Sequence, residues 1–179
     1  MADWKVLVDG LLAEAAQKFY PGDAKAKNKA LNSPVARMVA SLPFISECPD
    51  AEALARKNLN ILFTEETHPG TYPHRLGLTL RQRLAPGDIV AKAAKPDVAE
   101  KGMLLLELAS LLDHKRDRAE DLAVSMANPL NEGMEYQAEQ DRLTAKIKAI
   151  SSPDLDGILT ADSLIERSME PAASPFWYY

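Results

Sequence analysis

The chain has 179 residues and a mass of 19.6 kDa, with 46% hydrophobic and 26% charged residues; that is enough to bury a core within one domain, and it excludes wholesale disorder. A formal net charge of -5 and a pI near 5.3 argue against a surface that tracks phosphates, which needs a basic excess, so no nucleic-acid partner is expected. Aromatics make up only 6% while Ala and Leu abound, and this balance favours helices over sheets, because strands draw on β-branched and aromatic side chains.

The opening segment MADWKVLVDG has an acid at position 3 and no basic region ahead of an apolar one, so it does not read as a secretory signal. Trp4, Leu7, Val8, Leu11, Leu12, Ala15 and Phe19 recur at three- and four-residue steps and form one stripe of a helix, which Pro21-Gly22 ends. The Lys-rich stretch from Lys25 to Lys29 follows. With Asp23 beside it and Asn28 inside it, it reads as polar, solvated surface. Ser33-Pro34 is an N-cap followed by proline at the first helical position; it opens a short helix through Leu42 that Pro43 stops. Cys48 is the single cysteine. It forms no internal disulfide, gives no sign of an oxidising compartment, and reads as an inert thiol.

Pro49-Asp50 opens the next helix, with Asp50 as its candidate cap and Ala51, Leu54, Ala55, Asn58 and Leu62 facing inward. This helix fades near Glu66, because His68-Pro69-Gly70 cannot continue it. Residues 67–77 form the longest clear loop, followed by a short helix around Leu78 to Leu84 and another turn or two from Asp88 to Ala94. Pro96 starts the dominant helix, which runs at least to Leu112. Its segment MLLLELASLL is apolar over most of its circumference, which puts the helix at the centre of the fold and Leu108 in the core. The run is interrupted by Glu107 and Ser110 and is too short to span a bilayer, so no membrane association is expected and the default location is cytoplasmic.

A further helix extends from about Glu132 to Ile150, with Tyr136, Leu143, Ile147 and Ile150 on one seam and polar Gln140 interrupting it. The last helix, capped by Thr160, carries Leu164, Ile165 and Met169. No stretch alternates convincingly with a two-residue period. The expected fold is therefore all-α: a single helical domain over residues 1–170, an irregular bundle of about six or seven helices around a central hydrophobic helix, then an aromatic tail over 171–179.

The best catalytic candidate is Glu65-x-x-His68, with Glu66 beside it and His74 beyond. A carboxylate and an imidazole three residues apart share a helical face and can ligate one metal. Carboxylate-bridged di-iron bundles need that step twice, and of the three histidines His114 has no glutamate three residues before it. What remains open is a mononuclear site from Glu65, His68 and His74, the basis of an alternative reading as a small metal-dependent hydrolase. The simpler reading is a solvated helix end running into a proline-containing turn. On the dominant helix, Glu100, Glu107, Ser110, His114 and Asp117 share a face. In a cleft they would offer a buried acid and a proton acceptor, but a strip left in water is the simpler expectation. Asp154-x-Asp156-Gly157 resembles the opening of a calcium loop, yet Ile158 and Ile165 stand where oxygen ligands are required. The glycine patterns that hold nucleotide phosphates are missing. No catalytic residue, cofactor or tightly bound metal is expected.

The least ordinary feature is the end of the chain, where Phe176, Trp177, Tyr178 and Tyr179 place four of its eleven aromatics (four Phe, two Trp, five Tyr) side by side. The simpler expectation is that this tail folds back into a groove between its own helices; the alternatives, in order, are that it docks on a second copy or on a protein partner. The functional expectation is a non-catalytic interaction or assembly protein, with those four residues as its partner-binding candidates.

Overall fold

The computed structural model describes residues 3–67, 84, 86–125 and 129–169, without the side chains at 65–67, 86, 114, 116–125 and 129–133. Every regular element among these residues is a helix: α1 Trp4–Phe19, α2 Ala24–Leu31, α3 Pro34–Ile45, α4 Ala51–Thr67, α5 Pro86–Lys92, α6 Pro96–Ser125, α7 Pro129–Lys148, α8 Pro153–Asp156 and α9 Ala161–Ser168. The fold is the expected all-α bundle. It holds more helices than the six or seven counted, in part because the polar segments α2 and α8 also wind up. The short helix expected over 78–84 lies outside the described residues, apart from Leu84, which is buried.

Local signals set most helix starts. Asp3, Asp23 and Ser33 accept from the amides of Lys5, Ala26 and Ala36 at 3.0, 3.0 and 3.2 Å. Thr160 and Ser163 form a reciprocal capping box. The α1 stripe behaves as its spacing requires, with Val8, Leu11, Leu12 and Ala15 buried and Trp4, Leu7 and Phe19 half-buried. Phe19 and the adjoining Tyr20 both pack on Phe63 of α4, with ring centroids 5.8 Å apart in each pair.

Pro43 does not stop α3; the helix continues to Ile45 with the proline inside it. Proline has no N–H, so the carbonyl four residues earlier, on Val39, loses its usual helical partner. Asn58 of α4, itself 1% exposed, supplies the replacement: its side-chain amide donates to the Val39 carbonyl at 3.4 Å. An inward-facing asparagine thus has a definite task in a helix interface otherwise apolar on the α4 side, among Ala55, Leu59 and Leu62. Asn58→Ala is expected to cost about 1–3 kcal/mol for the stranded carbonyl, in addition to the lost packing. In a Pro43→Ala background the backbone N–H at position 43 takes over, and the cost of Asn58→Ala should fall by about that amount in urea titrations. An equal cost in both backgrounds would refute the exchange.

Helix α3 ends in a Schellman motif, with the Cys48 amide donating to the Pro43 carbonyl at 2.9 Å and the Glu47 amide to the Phe44 carbonyl at 3.1 Å. The left-handed position that usually takes glycine is occupied by Glu47, at φ 55°, a conformation that costs an L-residue about 1–2 kcal/mol. The corner has offsetting ties to the start of α6. The Lys95 amide donates to the Ser46 carbonyl at 3.1 Å, and the Lys95 ammonium lies 3.2 Å from the Glu47 carboxylate. Asp50 also has a positive φ, 54°, and its carbonyl accepts the first helical bond of α4, from Leu54.

Two helices share the centre. On α6, Lys101 through Leu106 are all buried, as are Leu108, Ala109 and Leu112, and the helix packs against α3, α5, α7 and α9. Helix α3 is equally enclosed: Val35, Ala36, Met38, Val39, Ala40 and Leu42 are 0 to 1% exposed, with α1, α4, α6 and α8 as neighbours. The two meet at Gly102, where a Cβ would fall 2.2 Å from Leu42 Cδ1. Glycine is required there by the close approach of the helices, since any larger side chain would displace Leu42.

Candidate functional site

The aromatic candidates Phe176, Trp177, Tyr178 and Tyr179 lie outside the described residues, as do His68 and His74. Of the Glu65, His68 and His74 set, only the Glu65 backbone is placed, in the last turn of α4. The side chain of His114 lies outside the described residues too, although its backbone belongs to α6.

The polar strip of α6 can be followed as far as Asp113, and over that part the expectation of a solvated strip needs correction; the side chains of His114 and Asp117 lie outside the described residues. Ser110 is buried and Glu100 and Glu107 are half-buried; Asp113, close to that face, is 7% exposed. The reason is α7. Only residues 126–128 separate it from α6, and the two helices pack side by side. Gln140 enters this seam at 8% exposure, between Tyr136 and Leu143. Charges line its edge. Glu139 and Arg142 of α7 form a two-bonded ion pair that holds the Glu139 carboxyl below the usual carboxylate range, chiefly through the Arg142 hydrogen bonds. Glu107 of α6 adds to the field that keeps Arg142 protonated, behind the larger effect of Glu139.

The best-defined buried charge is one the sequence reading passed over. Lys101 has a side chain only 6% exposed, and its ammonium donates to the Ile150 carbonyl at 2.6 Å and pairs with Asp156 Oδ1 at 3.0 Å. Ile150 lies just past the end of α7, where the negative end of the helix dipole favours a cation. Asp156, from the sequence that resembled a calcium loop, is thereby committed to tying α8 onto α6. Its own side chain is 48% exposed, so water shares its charge and the pair is weaker than a fully buried one. Lys101→Met keeps the aliphatic stem but leaves the Ile150 carbonyl without this donor; it should lower stability by about 1–3 kcal/mol in chemical denaturation. A change below half a kcal/mol would show that the tie contributes nothing.

Cys48 is buried and its thiol is pushed up by that burial; its sulfur lies 3.7 Å from the Ile89 carbonyl, a weak donor contact that joins the α3–α4 corner to α5. The hydroxyls of Ser41 and Ser46 and Oδ1 of Asn58 are buried with no hydrogen-bond partner. Among the described residues no three His, Cys, Asp or Glu side chains cluster closely enough to hold a metal ion. No helix among them is long and apolar enough to cross a membrane. Compared with family models, curated proteins and solved structures, the chain matches none.

Proposed function

We propose that this is a non-catalytic interaction or assembly protein, which binds a protein partner or a second copy of itself through its helix faces and the aromatic segment Phe176, Trp177, Tyr178 and Tyr179. What supports the reading is the use made of buried polar side chains. Ser33 caps α3, Asn58 serves the Val39 carbonyl, Lys101 holds Ile150 and Asp156, and Cys48 contacts Ile89. Each of these answers a backbone group or pins one helix to another, a structural use. Met169 adds to this: it is 80% exposed and immediately follows α9, on the approach to the aromatic end of the chain.

Burying two of the four rings fully is worth roughly 3–6 kcal/mol before ordering costs, enough to decide an association. Deleting residues 175–179 is expected to shift the protein toward monomer in sedimentation, or to abolish capture of its partner in a pull-down that compares the two chains. A lower melting temperature with unchanged assembly would instead show that the tail seals its own domain, and would remove it from the interface. Stoichiometric zinc, iron or manganese that survives dialysis and is lost on His68→Ala would replace this reading with the metal-dependent hydrolase built on Glu65, His68 and His74.

A further inference from the structure

We draw no further inference here: the strongest candidate, the outward row Val6, Gly10 and Ala13 on α1, is a stripe of small and apolar residues on a solvent-facing helix surface, and nothing in the structure shows what covers it.

Discussion

Leu108→Ala is expected to lower the free energy of unfolding by about 2–5 kcal/mol, the range for removing a fully enclosed leucine from a core that cannot collapse around the gap. Leu108 is 0% exposed, and so are Leu105, Leu106 and Ala109 around it. The lost transfer energy of the side chain is therefore joined by a cavity that well-packed neighbours leave unfilled. With a stability of about 5–15 kcal/mol typical of a single domain, one such change removes a substantial part of the total. Val6→Ala is the matched control: Val6 is 67% exposed, and its truncation should stay within about half a kcal/mol. Urea or guanidinium titration of both variants gives the comparison. A Leu108 variant as stable as the Val6 one would remove α6 from the centre of the fold.

The second large effect lies at the crossing of the two central helices. Leu42→Ala alone should cost about 2–5 kcal/mol, because Leu42 is 0% exposed. Gly102→Ala has two opposed consequences. A glycine inside a helix is disfavoured by about 1 kcal/mol relative to alanine, so the substitution gains that much. The new methyl, however, would sit 2.2 Å from Leu42 Cδ1, with Cδ2 and Cγ at 3.0 and 3.1 Å. Overpacking of this kind costs about 1–3 kcal/mol. All three nearest atoms belong to one fully buried side chain, so Leu42 has little room to swing away and the net effect should be destabilising. The double variant decides the matter. With Leu42 shortened, the methyl at position 102 enters the vacated space, and the combined loss should be smaller than the sum of the single losses by about 1 kcal/mol or more. Strict additivity would show that α3 and α6 are not seated this closely.

How much of this was legible in the sequence differs from element to element. Helix α1, the start of α3, the cap of α9 and the burial of α6 are carried by near-neighbour patterns (three- and four-residue apolar steps, Ser33-Pro34, Thr160, a long apolar run), and those patterns are local. Helix α2 was missed for the opposite reason. Of its residues only Ala30 is buried, so it has almost no apolar stripe to read, although its Asp23 cap and its Ala, Lys and Leu residues are sound helix material. The continuation of α3 through Pro43 was not legible, because the compensating donor comes from Asn58 on another helix. The burial of Ser110 and Asp113 on α6 and the Lys101 tie are of the same kind. Both depend on what α7 and the following turn bring alongside, and linear spacing carries no record of that. The candidate site residues were nameable by type alone: Glu65, His68 and His74 have metal-binding chemistry, and residues 176–179 have interface chemistry. Whether such groups converge on an ion or a partner is a property of the folded chain, which spacing over a few residues cannot encode.

The pairing of Pro43 with Asn58 also constrains how this sequence can change over time. Replacing the proline first restores a backbone donor to the Val39 carbonyl and frees position 58 to become apolar. Replacing the asparagine first passes through a chain with a buried carbonyl that nothing answers. The two routes end at the same pair of residues, but only one avoids a destabilised intermediate. Drift at position 58 should accordingly wait on drift at position 43, so that Asn58 outlives its proline in some lineages while a proline without its asparagine stays rare.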